Sequence, residues 1–226
     1  MDQSANSNSP AGRLACVEAE IAKACRGARR EREDVTLIAV SKMHPVQAIT
    51  PLIAAGQRVF GENRVQETQE KWPALRETTP DIELHLVGQL QSKKADDAVA
   101  LFDCIHSLDR PSLIKALAKA FDKAGRQVPC FVQVNIGDEP QKGGCAIAEL
   151  GALVASARDA DIPLAGLMCV PPLDTEPAPF FALMAKLADD LGLDGRSMGM
   201  SGDYPIAIML GATHVRVGTA LFGARA

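Results

Sequence analysis

A lysine directly follows the first apolar segment of the chain that is short enough to be a strand. The segment is TLIAVS, and Lys42 comes next. Parallel α/β proteins place functional groups at the carboxyl ends of such strands. A lysine there, half withdrawn from water beside other charges, can act as a nucleophilic amine and form a Schiff base. Most lysines are solvated surface charges, so Lys42 stands out only because the segment before it is apolar.

Two later candidate strands end in small and hydroxyl-bearing residues. Ser201 and Gly202 follow one of them, and Gly218 and Thr219 follow the last. Small residues with free backbone N–H groups form anion sites, and (β/α)₈ barrels commonly bind phosphate in the loops after strands seven and eight. Either loop alone is typical of a plain turn. The two together, beside Lys42 if a barrel closes, predict a phosphate site.

Arg216 lies within the last candidate strand, between Val215 and Val217. A buried guanidinium needs an acceptor, so a core ion pair is one interpretation. The other is a contact with a pyridine nitrogen, because a lysine beside phosphate fits either a Schiff-base aldolase or a pyridoxal phosphate protein. Arginine only donates hydrogen bonds, so it would leave that nitrogen unprotonated and the ring a weak electron sink. This argues against transaminase or decarboxylase chemistry.

Eight short apolar or β-branched segments alternate with helical patterns. The alternation predicts βαβ units, and eight strands favour a closed (β/α)₈ TIM barrel over an open doubly wound sheet. An apolar stripe over residues 14–28 predicts an extra N-terminal helix, which would cover the barrel bottom or a gap left by a short last helix. The predicted strands cover residues 36–41, 58–63, 83–88, 103–108, 130–135, 164–169, 196–201 and 214–218. Further helices are predicted over residues 64–75, 91–101, 111–123, 147–159 and 177–191.

Composition and charge exclude several classes of protein. The 226 residues include 24 Lys+Arg and 28 Asp+Glu, a net charge of −4, and 4% are aromatic. Such a chain is not expected to bind nucleic acid. It has no signal-peptide pattern and no run of the roughly 20 apolar residues that a membrane helix needs, so a cytoplasmic protein without membrane contact is expected. Residues 1–10 are predicted to be a disordered segment, and residues 11–226 one barrel domain.

The other candidate residues carry weaker signals. The 6 cysteines form no CxxC pair and the 4 histidines are scattered, so no metal site is predicted. Asn63, after the second strand, either contacts a ring substituent or caps the next helix. His85, inside the third strand, is more typical of a hydrogen-bonded core residue than of a base. Met168 is more typical of packing than of ligand contact.

Seven motifs, all in order, resemble the pyridoxal phosphate homeostasis proteins. They are AVSK at 39–42, FGENRVQE at 60–67, HLVGQLQSKK at 85–94, NIGDEPQKGG at 135–144, GLMCVPP at 166–172, SMGMSGD at 197–203 and HVRVGTALFGAR at 214–225. The match runs from about residue 37 to the end, and so many ordered motifs make it specific. Three residues depart from the family pattern: Gln89 replaces the usual proline, Lys93 a common asparagine and Pro205 an acidic residue.

The resemblance implies a barrel like the N-terminal domain of alanine racemase, which is a fold type III pyridoxal phosphate protein. It implies pyridoxal phosphate as cofactor, held as a Schiff base on Lys42. The implied cofactor-binding set is Lys42, Asn63, His85, Met168, Ser201, Gly202, Arg216, Gly218 and Thr219. The family is regarded as a carrier and regulator in vitamin B6 homeostasis without established turnover. We therefore expect a monomeric carrier, in transient contact with apo pyridoxal-phosphate-dependent enzymes, rather than an enzyme.

Two enzymatic functions compete with this expectation. One is a pyridoxal-phosphate-dependent racemase or lyase, and the other a cofactor-free Schiff-base aldolase acting on a phosphorylated substrate. A two-base racemase needs a tyrosine from an added domain opposite the lysine. The sequence is expected to stop at the barrel, and its only tyrosine, Tyr204, follows the phosphate loop. A pure scaffold role, in which Lys42 is dispensable, is a further alternative.

Overall fold

Residues 8–223, the part of the chain that the computed structural model describes, form a closed barrel of eight parallel strands. Each strand pairs with the next in sequence, and β1 pairs with β8 through Thr36↔His214 to Ala39↔Val217. The predicted (β/α)₈ barrel is therefore confirmed, and the open sheet is excluded. The strands are β1 Thr36–Val40, β2 Val59–Glu62, β3 Glu83–Leu86, β4 Cys104–Leu108, β5 Cys130–Val134, β6 Leu164–Cys169, β7 Gly195–Met200 and β8 His214–Val217.

The helices that surround the barrel follow ordinary sequence rules. α5, for example, begins at Pro111, whose ring fixes a helical φ, and ends before Gly125, whose φ of 59° terminates the helix. None of the described helices is long and apolar enough to cross a membrane. The helices are α1 Pro10–Gly27, α2 Val46–Ala54, α3 Val65–Thr78, α4 Ala95–Leu101, α5 Pro111–Ala124, α6 Ile147–Asp159, α7 Ala178–Asp190, α8 Tyr204–Met209 and α9 Thr219–Phe222. Short 3₁₀ turns span Arg32–Asp34 and Ser92–Lys94.

Helix α1 fills a gap in the outer ring of helices. Its apolar stripe is buried, and it packs on α8, α9 and α2 rather than across the barrel bottom. α8 and α9 have only 6 and 4 residues, so an extra helix is needed to cover the core beside them. The helix begins at Pro10, where the Ser9 Oγ accepts the Gly12 N–H at 3.0 Å. This start falls inside the predicted disordered segment, of which residues 1–7 lie outside the described part.

Several predicted strands extend one or two residues beyond the observed ladders. Ser41, Asn63, Gly88, Ser201 and Gly218 all lie just past the carboxyl end of a strand. There the backbone leaves the sheet and turns toward the next helix. Gly88 shows how tightly these turns pack, because a Cβ at this position would lie 2.3 Å from the Asn63 carbonyl oxygen. Only glycine lets the loops after β2 and β3 approach this closely.

The barrel interior carries more polar groups than the apolar sequence pattern of its strands indicates. β4 and β5 are buried at every residue. Parallel strands buried on both faces are usually almost continuously apolar. Here His106, Ser107 and Gln133 interrupt the pattern, and all three are buried. Buried polar side chains need partners, and the partners of His106 and Gln133 lie at the two levels of the barrel described below.

Candidate functional site

The carboxyl ends of the strands surround a cavity of about 430 Å³, which we call the mouth cavity. Seven of the nine predicted site residues line it. They are Lys42, Asn63, Ser201, Gly202, Arg216, Gly218 and Thr219. The remaining lining comes from Val40, Val87, Val170 and Met200. This volume falls within the ordinary range for sites that hold a small molecule or cofactor.

Lys42 reaches this cavity from a turn between β1 and α2. Its neighbour Met43 has a left-handed backbone with φ of 61°, which is unfavourable for a residue with a side chain. Hydrogen bonds with Glu67 and Lys71 nevertheless hold the turn in place. The Met43 N–H donates to Glu67 Oε1 at 2.6 Å, and the Lys71 ammonium donates to the Ser41 and His44 carbonyl oxygens at 3.0 and 3.2 Å.

A buried ion cluster provides these contacts, and we call Glu62, Glu67 and Lys71 the turn clamp. Lys71 Nζ lies 2.7 Å from Glu62 Oε1 and 2.9 Å from Glu67 Oε1. Glu62 also accepts hydrogen bonds from Ser41 Oγ at 2.7 Å and from Trp72 Nε1 at 3.0 Å. The Glu62 side chain is completely buried. The clamp therefore holds the backbone on both sides of Lys42.

The surroundings of Glu67 favour its ionised form. Burial alone would raise the pKa of Glu67, but hydrogen bonds from Lys71 and the Met43 N–H outweigh burial and lower it. Sequence reasoning missed the clamp. A signal was present, since Glu67 and Lys71 have the i,i+4 spacing of a helical ion pair. The same spacing is common on solvated helix faces, and nothing local shows that this one faces the Lys42 turn.

The two loops proposed for an anion meet at the mouth cavity beside the end of β1, because β8 pairs with β1. The Gly218 N–H donates to Ser201 Oγ at 3.2 Å and joins the loop after β7 to the end of β8. The first of these loops is closed by Asp203, whose Oδ1 accepts the Met200 N–H at 2.5 Å. The barrel thus brings Ser201, Gly202, Gly218 and Thr219 to one wall, as the strand order predicts.

Arg216 rises from β8 at the floor of the mouth cavity and is 5% exposed. Its Nη1 donates to Ser197 Oγ at 2.7 Å, and its Nη2 donates to the Cys169 carbonyl oxygen at 2.8 Å. Both acceptors are neutral, so the described residues do not form the core ion pair that is the simpler interpretation of a buried arginine. A guanidinium without a protein anion can interact with a group bound in the cavity.

Met168 lines a second cavity, of about 250 Å³, that adjoins the first. The two cavities share Asn63, Val87 and Val170. Most of the polar side chains that line the second cavity are amides. Gln89 Nε2 donates to Gln133 Oε1 at 2.6 Å, and Gln133 Nε2 donates to the Gly143 carbonyl oxygen at 3.0 Å. Gln133 was not singled out from the sequence, because one polar residue in an apolar strand carries no local sign of its role.

His85 lines neither of these two cavities. It lies deeper in the barrel, where its Nδ1 is 2.9 Å from His106 Nε2. Cys104 lies beside this pair, and the three possible metal-ligand atoms of His85, Cys104 and His106 are within 4.8 Å of one another. Cys104 and His106 alternate along β4 and share one face of that strand, but His85 comes from β3, and nothing in the sequence spacing shows that it joins them.

Tyr204 lies outside the lining of the mouth cavity. The side chain is buried against α1, and its hydroxyl donates to the Glu20 carboxylate. Burial and this carboxylate raise the pKa of Tyr204 above its usual value. A tyrosine held in this way has neither the position nor the acidity of a second base opposite Lys42. What the mouth cavity does offer is an amine, a wall of small and hydroxyl-bearing residues and a guanidinium within one site.

These features define a class of barrel. The alanine racemase N-terminal domain matches residues 17–226 of the chain. The pyridoxal phosphate homeostasis protein of Pseudomonas aeruginosa is 38% identical over 218 residues, which cover 94% of each chain. That of Escherichia coli K12 is 37% identical over 233 residues, which cover 96% of this chain and 97% of the relative. The chain therefore belongs to the pyridoxal phosphate homeostasis protein family, as its motifs predict.

Solved structures agree with this assignment. PipY of Synechococcus elongatus PCC7942, determined without pyridoxal phosphate, superposes with a TM-score of 0.83 at 39% identity and covers 94% of this chain and 99% of its own. The same protein with pyridoxal phosphate bound gives a TM-score of 0.80 at 40% identity, with coverages of 90% and 100%. An alanine racemase of Clostridium difficile 630 is similar in fold alone, with a TM-score of 0.67 at 15% identity.

Proposed function

We propose that the chain binds pyridoxal 5′-phosphate in the mouth cavity and takes part in pyridoxal phosphate homeostasis. The observation that carries the proposal is the convergence of Lys42, Arg216 and the two small-residue loops on one cavity. The wall that Ser201, Gly218 and their neighbours form fits a phosphate, because it offers a hydroxyl and backbone N–H groups. No described residue that lines the mouth cavity is a carboxylate that would repel the phosphate. Membership of the family and the cofactor-bound PipY support the same ligand.

Lys42 is the residue proposed to hold the cofactor covalently. Its Nζ would attack the aldehyde carbon, form a carbon–nitrogen double bond and release the aldehyde oxygen as water. The bound cofactor supplies an aldehyde and an aromatic ring that can accept electrons. The turn clamp fixes the backbone beside Lys42, so the direction from which the amine enters the cavity is set before the ligand binds.

The remaining residues are proposed to orient the ring. Arg216, which only donates hydrogen bonds, would contact the pyridine nitrogen and leave it unprotonated. Asn63 would donate to a ring substituent, and Met168 would pack against the side of the cofactor nearest the second cavity. An unprotonated ring withdraws electrons weakly, and Tyr204 is not available as a second base. Both features support a carrier over a racemase or lyase.

A matched pair of lysine variants tests the covalent link. Lys142 lines the adjoining cavity, and its ammonium is engaged by Glu139 and the Pro171 carbonyl oxygen. We expect wild type and Lys142→Ala to retain a visible absorption band through gel filtration with added pyridoxal phosphate, and Lys42→Ala to lose it. Retention of the band by Lys42→Ala would exclude the proposed linkage.

The same samples separate the competing functions. Turnover of a small amino acid by wild type, abolished in Lys42→Ala, would establish a racemase or lyase. A colourless wild type that borohydride modifies only in the presence of a phosphorylated sugar would establish an aldolase. Cytoplasmic location, a monomeric state and contact with apo enzymes stay predictions.

A further inference from the structure

A continuous series of hydrogen-bonding groups crosses the barrel interior below Arg216. Arg216 Nη1 is 2.7 Å from Ser197 Oγ, which is 2.9 Å from His106 Nδ1. The other nitrogen of that ring, Nε2, is 2.9 Å from His85 Nδ1. His85 Nε2 then faces the Glu83 carboxylate, with Oε2 3.7 Å away. We call these five residues the interior chain; its members come from strands β8, β7, β4 and β3.

The two ends of the interior chain favour one direction for the hydrogen bonds between them. A guanidinium can only donate, so Ser197 Oγ accepts from Arg216 and its own hydrogen is free to point to His106 Nδ1. In this direction His106 carries its hydrogen on Nε2 and donates to His85 Nδ1. His85 in turn carries its hydrogen on Nε2, directed toward Glu83. The Glu83 carboxylate, 3.7 Å from His85 Nε2, is negatively charged and can only accept, so it favours a hydrogen on Nε2 and hence the same direction.

The surroundings of His106 keep the ring neutral, as this pattern requires. It faces His85 on β3, Ser197 on β7, Arg216 and His214 on β8, and it stacks on Phe131 of β5 at 4.4 Å. Burial, reinforced by the nearby His85, His214 and Arg216, places the pKa of His106 well below its usual value. At the far end, the adjacent His85 ring lowers the pKa of Glu83 and keeps it ionised.

The contact geometry favours hydrogen bonding over a metal site at the same residues. Metal–nitrogen bonds of about 2.0–2.1 Å at a tetrahedral ion hold two nitrogens roughly 3.3 Å apart. His85 Nδ1 and His106 Nε2 are 2.9 Å apart, which is an ordinary hydrogen-bond distance. Burial raises the pKa of the Cys104 thiol well above its usual value, so it is not a ready thiolate ligand.

We propose that His106 and His85 are positioning residues that, through Ser197, fix the orientation of the Arg216 guanidinium at the floor of the mouth cavity. The role of Arg216 toward a cofactor ring rests on the proposed function, whereas the direction of the interior chain does not. The histidines act by hydrogen bonding in one fixed direction. Proton transfer is not part of this role.

The chain itself is tested without any cofactor. Nitrogen-15 shifts of the imidazoles are expected to show His106 neutral and protonated on Nε2 between pH 6 and 8, and to show His85 with a hydrogen on Nε2 and its Nδ1 accepting from His106. A Ser197→Ala variant removes the acceptor that joins His106 to Arg216, and the His106 Nδ1 shift should then change. A charged His106, or a hydrogen on its Nδ1 in wild type, would overturn the proposal. So would stoichiometric bound metal in the purified protein.

The effect on Arg216 is tested by titration with pyridoxal phosphate, with borohydride reduction as the check on occupancy. Glutamine can replace the neutral imidazole, because its carbonyl oxygen accepts and its amide donates in the same direction. We expect His106→Leu and Ser197→Ala each to weaken binding about fivefold to tenfold, the effect of an unsatisfied buried partner, and to shift the visible absorption maximum. His106→Gln should stay within about twofold of wild type.

His214→Gln is the control. His214 lies beside His106, but its Nδ1 bonds Thr213 Oγ1 rather than a member of the interior chain. The binding constant of His214→Gln for pyridoxal phosphate and its absorption maximum should equal those of wild type. If His106→Leu and Ser197→Ala match this control, the positioning role is excluded. If wild type itself binds no pyridoxal phosphate, the proposed function fails, and the imidazole shifts still decide the direction of the chain.

Discussion

Lys42 and Arg216 face the same cavity, but the protein holds them by different chemistry. The turn that carries Lys42 rests on charged groups, with Lys71 between Glu62 and Glu67 at the outer side of the barrel wall. Arg216 donates only to neutral acceptors inside the barrel, the Ser197 hydroxyl and the Cys169 carbonyl oxygen. Lys42 is therefore supported by paired ions and Arg216 by a hydrogen-bonded chain.

The difference follows from what each location can accommodate. Ions can be buried when each carboxylate has a cation and further donors, as Glu62 has from Ser41 and Trp72. A carboxylate beside Arg216 would neutralise the guanidinium and remove its attraction for a bound group. Neutral acceptors orient the guanidinium while leaving its charge for the cavity. The two supports should therefore respond differently to mutation and to pH.

The largest effect is expected from breaking the turn clamp. Lys71→Met leaves the buried Glu62 carboxylate and the partly exposed Glu67 carboxylate without their shared cation. Removing one partner of a buried ion pair costs about 3–5 kcal/mol of unfolding free energy, measurable by urea denaturation. The exposed Lys94–Asp97 pair provides the control, since Lys94→Met removes an ion pair at the surface and should cost at most about 1 kcal/mol. Equal losses in the two variants would show that the clamp does not hold the turn.

A smaller effect is expected from the histidines near Arg216 as the pH falls. Burial lowers the pKa of His214 from 6.5 to about 4. Between these values the unfolded chain takes up a proton that the folded chain excludes, so stability falls as the pH drops from 6.5 to about 4. The full loss amounts to about 3 kcal/mol. His214→Gln should remove this part of the slope in urea denaturation series, and an unchanged slope would contradict the assignment.

The turn clamp should respond in a lower pH range. The pKa of Glu67 is depressed below 4.5, so its carboxylate stabilises the fold above that pH and ceases to do so as the pH falls through the folded pKa. Glu67→Gln should be less stable than wild type at pH 7, and the difference should narrow below pH 4.5. A difference that closes between pH 6.5 and 5 instead would assign the effect to another group.

The smallest effect concerns one hydrogen bond to the clamp. Ser41→Ala removes the Ser41 Oγ donor to Glu62 and should cost about 1.5–3 kcal/mol, because the acceptor is charged and buried. Thr50→Ala removes a hydroxyl that bonds its own helix at an exposed position, and should cost less than about 0.5 kcal/mol. Comparable losses in the two variants would mean that the Ser41 bond contributes nothing specific to the turn.

The sequence predicts the surroundings of Lys42 more fully than those of Arg216. Lys42, Ser201 and Gly218 could be placed because strand ends in a closed barrel must meet at one rim, whatever the details of packing. Arg216 could be located, but its partners could not. In the sequence, Ser197 and His106 are isolated polar residues within apolar segments. Whether they meet depends on the relative stagger of β4 and β7 around the barrel.

The turn clamp and the Met43 backbone were not predictable for related reasons. A helical Glu67–Lys71 pair has the same spacing whether it faces water or a neighbouring turn. The φ of 61° at Met43 has no sequence signal, since left-handed backbone favours glycine or asparagine. In both cases tertiary contacts decide the outcome: Glu67 accepts the Met43 N–H, and Lys71 donates to carbonyl oxygens of the turn. Local sequence preference does not specify these contacts.

The most direct test of the central claim is peptide mapping of the wild-type protein after loading with pyridoxal phosphate and reduction with borohydride. Reduction converts a Schiff base into a stable secondary amine and records which lysine carried it. The account predicts a stoichiometric pyridoxyl adduct on Lys42, with loss of the visible band. An adduct spread over surface lysines, or its absence from Lys42 at saturating cofactor, would contradict it.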